Sequence, residues 1–264
     1  MNIRSVGFVT MILFVSLYGG CSKDSSDSPV DPGSATIPTV STAWAGTGIT
    51  AGGGKFDLTV CLGQNNDKIS LACVWRNQMS GAYCVKYYNG TVAANRKLSV
   101  AGYKSSGSSD WQLDNWIVTI SASGDSIAGA FTVPSNATSS GTITLTKKTS
   151  SSTYPVVSGN WTGIVRQGVG SWEVTVTLWQ AVDALVADWV YTGPNIKVTS
   201  IGSLSTNRSV DLKDIAAEFS GPNQASQWTL ITSTAFILSA RADTISGTWV
   251  DNARNTGTAL LTKK

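Results

Sequence analysis

The sequence predicts an all-β chain: two tandem antiparallel up-and-down β-barrels of about eight strands each, with β-sandwiches as the alternative closure. Three observations carry this. Only 13% of the residues are charged, ten are Trp, and Val, Ile, Thr, Ser and Gly are frequent, a balance that suits strands. Apolar and polar residues alternate with a period of two in short stretches, and no segment keeps a helical period over three turns. The chain also repeats itself, order and separations being kept with shifts of one or two residues.

The duplication is read off four matches. AWAGTGI at 43–49 aligns with NWTGIV at 160–165, placing Trp44 on Trp161. KFDLTVCLGQ at 55–64 aligns with SWEVTVTLWQ at 171–180, placing Phe56 on Trp172 and Gln64 on Gln180. GDSIAGAF at 124–131 matches ADTISGTW at 242–249, and GTITLTKK at 141–148 matches GTALLTKK at 257–264. The expected organisation is a signal segment at 1–20, a flexible tether at 21–41, a first repeat at 42–148, a joint at 149–156 and a second repeat at 157–264.

Within the second copy, Trp172, Val174, Val176 and Leu178 fall on one side of a strand, with Glu173, Thr175 and Thr177 on the other. The next stretch turns Leu185, Ala187, Trp189 and Tyr191 the same way. A tight turn near Val182-Asp183 then pairs Leu178 with Ala187 and Val176 with Trp189. About eight such strands joined by hairpins can close on themselves and leave no exposed edge. The opening Gly/Trp segments and the ISGTW element resemble the small barrels of the calycin group, which includes lipocalins and avidin-like proteins. That resemblance implies a small hydrophobic or heterocyclic ligand at a barrel mouth.

At the other end of the chain, Arg4 precedes an apolar run at 6–17, and Gly19 and Gly20 precede Cys21. The run is too short to span a bilayer and has the layout of a secretory signal. It resembles a bacterial lipoprotein signal, which implies that Cys21 is acylated and begins the mature chain. Residues 22–41, rich in Ser, Asp and Pro, then form a tether reaching about 60 Å at roughly 3 Å per residue. In that family an Asp directly after the cysteine tends to retain the protein at the inner membrane, so the resemblance, with Ser22 at that position, implies the outer membrane of a Gram-negative cell. The expected membrane contact is therefore the N-terminal lipid.

Composition narrows the chemistry. The chain has no histidine, which removes the usual general base and the commonest metal ligand. Its only glutamates are Glu173 and Glu218, and no spacing marks a carboxylate pair for glycoside hydrolysis. GITAGGGKF at 48–56 lacks the Lys-Ser/Thr ending and following helix of a phosphate loop. With Arg4 removed, the 19 basic residues become 18 against 16 acidic ones, scattered, so no nucleic-acid partner is expected. Nor is a cofactor, a metal or catalysis. The expected function is a non-catalytic, lipid-anchored envelope module for a small hydrophobic or glycan ligand. The alternatives are an adhesion scaffold contacting envelope proteins or polysaccharide and, third, an Asp-based hydrolase.

Candidate site residues are cysteines and tryptophans. Cys61 shares the wet face of its strand with Asp57 and Thr59. A hairpin centred between Gln78 and Met79 sets Cys73 opposite Cys84 on the dry face, making these two the expected disulfide in an oxidising envelope. Trp44, Trp75, Trp161, Trp172, Trp189 and Trp249 are expected in the cores. Trp179 lies on the side of Glu173 and Thr177, so either the barrels pack there or it offers a ligand platform; packing is preferred, because duplicated domains on a short joint usually touch. Trp111 and Trp116 flank a polar Gln-Leu-Asp-Asn loop and form a second candidate rim. Bulky inward residues on most strands predict filled interiors.

Overall fold

The computed structural model describes residues 36–107, 111–150, 152–219 and 229–264. The signal at 1–20, Cys21 and most of the tether lie outside these residues. The first closed barrel comprises β1 (Ala43–Thr50), β2 (Lys55–Asn65), β3 (Lys68–Asn77), β4 (Tyr83–Val92), β5 (Lys97–Gly107), β6 (Asn115–Ile120), β7 (Ser126–Thr132) and β8 (Gly141–Lys147). The second comprises β9 (Gly159–Gln167), β10 (Gly170–Ala181), β11 (Ala184–Tyr191), β12 (Ile196–Leu204), β13 (Ser209–Phe219), β14 (Ile231–Leu238), β15 (Thr244–Asp251) and β16 (Thr256–Lys263). Each strand pairs antiparallel with the next, and β1 with β8 and β9 with β16 complete the cylinders. Closure, not a sandwich, is how this sequence removes its edges.

The alternation read from the sequence is the alternation of the barrel wall. Val174, Val176 and Leu178 of β10 and Leu185, Ala187, Trp189 and Tyr191 of β11 are buried in the second core. The hairpin between them pairs Val176 with Trp189 and Leu178 with Ala187, as expected. Trp44, Trp75 and Trp116 are in the first core and Trp161, Trp189 and Trp249 in the second, with Trp172 partly buried against it.

The repeat extends to individual hydrogen bonds. Trp44 Nε1 donates to Val40 O at 3.1 Å, and Trp161 Nε1 to Val157 O at 2.9 Å. Val40 N donates to Gln64 Oε1 at 2.7 Å, and Val157 N to Gln180 Oε1 at 2.8 Å. Gln64 Nε2 reaches Pro38 O and Gln180 Nε2 reaches Pro155 O, both at 3.0 Å. A buried indole and a glutamine thus satisfy the backbone of the entry segment beneath each barrel.

Two cysteine expectations are corrected. In the β3–β4 hairpin Cys73 faces Lys86, while Cys84 faces Trp75, so the register is offset by two residues from the expected pairing. The turn causes this: Asn77 Oδ1 accepts from Met79 N and Ser80 N, and Gly81 takes φ +70, which moves the centre of the hairpin one residue along. An offset of two keeps every side chain on its expected face, but the Cys73–Cys84 disulfide is not formed, and both remain buried thiols. Cys61 is also a free thiol. It points out of its barrel as expected, yet it is buried, because Ala181, Val182, Ala184 and Trp179 of the second barrel cover it.

Candidate functional site

The interior of the first barrel contains a charge that the expectation of a filled apolar core does not include. Cys84, Lys86 and Tyr88 share the inward parity of β4, so the strand carries the Lys86 side chain into the cylinder. Lys86 is 4% exposed. Its Nζ lies 3.0 Å from Oδ1 of Asp114, a residue of 0% exposure just before β6. A buried carboxylate is tolerable only when its oxygens are occupied. Here Tyr88 OH donates to Oδ1 at 2.8 Å, and Trp116 Nε1 donates to Oδ2 at 3.0 Å. Trp75 Nε1 in turn donates to Tyr88 OH at 3.3 Å. Burial first, then the Asp114 charge, holds the Tyr88 phenol well above its ordinary range, so it stays a donor.

Above this network a cavity of about 350 Å³ opens at the mouth of the barrel. Its apolar wall is Phe56, Trp75, Trp111 and Phe131. Their rings meet edge-on: Phe56 and Phe131 lie 5.6 and 5.3 Å from Trp75, and Phe56 lies 5.3 Å from Trp111. Lys86 Nζ sits 4.6 Å from the Trp75 ring centroid and 5.8 Å from that of Trp111, within cation–π range of both. Asn77, Gln112 and Asn136 contribute amides to the polar rim. Among the described lining residues Lys86 is the one with a charge.

The second barrel also buries a carboxylate, Asp214, but from a different strand position and without a cation beside it among the described residues. Trp189 Nε1 donates to Ser200 Oγ at 2.9 Å, and Ser200 Oγ donates to Asp214 Oδ1 at 2.6 Å. By register Ser200 stands at the position of Tyr88, but Trp189 and Asp214 stand at those of Cys73 and Gly102 rather than of Trp75 and Asp114. Val198, opposite Trp189 in the register, occupies the position that Lys86 holds opposite Cys73. The cavity at that mouth, lined by Trp172, Tyr191 and Trp249 among others, is about 90 Å³. The larger cavity with its ammonium therefore belongs to the first copy alone.

The predicted tryptophan sites separate. Trp111 lines the cavity, as a rim residue should. Trp116 does not: it is 2% exposed, its indole turned inward onto Asp114, so the rim pair is corrected to Trp111 alone. Trp179 is at the surface between the barrels, packed with Tyr87, Val85 and Val186, its ring 6.3 Å from that of Tyr87. Lys86 and Asp114 are the residues that sequence reasoning missed. The signal for Lys86 was a lysine at an inward position of an alternating strand.

No family model matches the chain, and no curated protein sequence is significantly similar to it. Among solved structures, the Myxococcus xanthus hemagglutinin in complex with α3,α6-mannopentaose is 11% identical over 84% of this chain and 99% of its own, with a TM-score of 0.29. The Burkholderia oklahomensis agglutinin is 10% identical over 84% and 94%, with a TM-score of 0.30. Kievitone hydratase from Nectria haematococca is 10% identical over 88% and 92%, with a TM-score of 0.24. At TM-scores this low the likeness carries no argument about ligand or chemistry.

Proposed function

We propose that this chain is a non-catalytic binding module of the bacterial envelope that takes a small ring-shaped ligand, such as a glycan ring, in the mouth of the first barrel. The observation that supports it is the cavity of about 350 Å³ with an aromatic wall, a polar rim and one ammonium at its floor. That size falls in the range of small-molecule sites, and the mix of flat apolar surface with a few fixed polar groups is what such sites use. In this reading acylated Cys21 holds the barrels at the outer membrane on a tether. The pocket reading is tested by titrating the mature protein with mono- and oligosaccharides while following tryptophan emission. Binding should be saturable and should weaken about tenfold or more in Trp111→Ala, whereas Trp172→Ala in the second barrel leaves it unchanged. Equal loss in both variants would count against the first mouth as the site.

A further inference from the structure

The side-chain amides at the first barrel's mouth are one-sided in their hydrogen bonding. Asn77 Oδ1 is used by Met79 N and Ser80 N, Asn136 Oδ1 by the backbone and hydroxyl of Thr138, and Gln112 Oε1 by Ser135 Oγ. Because backbone N–H groups can only donate, the first two amides are fixed in orientation. Asn77 and Asn136 thus have their oxygens occupied by their own loops, and Gln112 is bonded to Ser135 of the β7–β8 connection, while the NH₂ groups of the three have no hydrogen-bond partner among the described residues. The same holds at the floor. Lys86 has three N–H donors and uses one, on Asp114 Oδ1. Asp114 itself is fully buried beneath, where Tyr88 and Trp116 also donate to it. A ligand entering from the mouth meets amide donors, then an ammonium, and no carboxylate on the cavity wall.

Resting on the pocket reading above, we infer that the ligand is a hexuronic acid ring, its carboxylate accepting from Lys86 and its hydroxyls from Asn77, Gln112 and Asn136. The C–H face of the ring lies on Trp75 and Trp111. Lys86 already faces Asp114, so the floor has room for one further negative charge at most, and a phosphate monoester, with a charge of about −2, would call for a second cation that the wall does not supply. An aromatic acid would use the aromatic wall and the ammonium but leave the three rim amides without acceptors. A hydroxyl of a neutral hexose can also accept from Lys86, but it would bring an O–H donor next to an ammonium, whereas a carboxylate only accepts and its bond to the ammonium is charge-assisted. The second barrel, with Val198 at the equivalent position, is not expected to share the preference.

The test compares glucuronate and galacturonate with glucose and galactose, and with the hexuronate methyl esters, by calorimetric titration of the mature wild-type protein. The acids should bind at least about tenfold more tightly than either neutral series, as a charge-assisted hydrogen bond in a buried site would give. Lys86→Gln should erase the difference between acid and ester; thermal melting checks that it folds, and should it not, the acid-against-ester comparison on wild type decides alone. Hexoses or esters binding as well as the acids would overturn the carboxylate assignment and leave the pocket reading standing. Benzoate outcompeting the hexuronates would overturn the sugar assignment. No binding by any of these probes, with Trp111→Ala silent, would remove the pocket reading and this inference together.

Discussion

Asp214 accepts from Ser200 Oγ at 2.6 Å and from Ile231 N at 2.8 Å, yet burial outweighs both bonds and pushes its carboxyl up to about 6 from an ordinary 3.8. The folded chain thus favours the neutral form. Stability tied to this group is whole below about pH 4, is lost as the pH climbs to about 6, and is level beyond that. Asp214→Asn, neutral throughout, should gain on wild type by an amount of order 2 kcal/mol between pH 4 and 7 in urea unfolding; a difference independent of pH would sink the assignment. Burial acts likewise on the thiols: Cys61 and Cys84 are pushed up to about 12, and Cys73 well above its usual range. A chromogenic disulfide reagent should therefore leave the native protein untouched and, in denaturant without reductant, count these three thiols, with a fourth only where Cys21 is unacylated. Fewer than three would restore a disulfide. How much of this level the sequence discloses depends on distance along the chain. The parity of Lys86 is local and legible. Its contact with Asp114, 28 residues on, exists only once the wall has curved.

At the scale of strands, the period of two and the turn at Val182-Asp183 are local properties, and they read correctly from the sequence. The β3–β4 turn does not, because its length is set by the Asn77 side chain and Gly81 rather than by the hydrophobic pattern. Closure is harder still, since it pairs strands about a hundred residues apart. At the seams the constraint is visible in two glycines. A Cβ on Gly163 would stand 1.9 Å from Leu260 O, and one on Gly46 would stand 2.0 Å from Thr144 O, so the last strand of each barrel lies where a side chain would be. Gly163→Ala should cost at least about 2 kcal/mol and speed amide exchange along β16. Gly193→Ala, with open space around it, should stay within about 0.5 kcal/mol. Equal melting temperatures for the two variants would show that the seam tolerates the insertion.

Across the whole chain, the two barrels meet through outward residues that a single repeat would leave to solvent. Ala72, Val85 and Tyr87 of the first pack on Val186 and Ile201 of the second, with Trp179 alongside. Sequence reasoning reaches Trp179, a large ring on a polar face. It does not reach Cys61, whose small side chain carries no such signal. Polar groups fix the docking: Tyr87 OH donates to Asp188 Oδ1 at 2.5 Å, Lys104 Nζ lies 3.3 Å from Asp188 Oδ2, and Lys148 Nζ lies 2.6 Å from Asp183 Oδ1. Asp188 also accepts from Thr199 Oγ1 at 3.0 Å within its own barrel, so removing it alone mixes two effects. A double-mutant cycle separates them. Tyr87→Phe and Asp188→Ala, measured singly and together by urea unfolding, should show a coupling of at least about 1 kcal/mol, the worth of a largely desolvated hydrogen bond to a charged group. Strict additivity would mean that the bond contributes nothing to holding the barrels together, and the docking would then rest on the apolar surface around Val85 and Trp179.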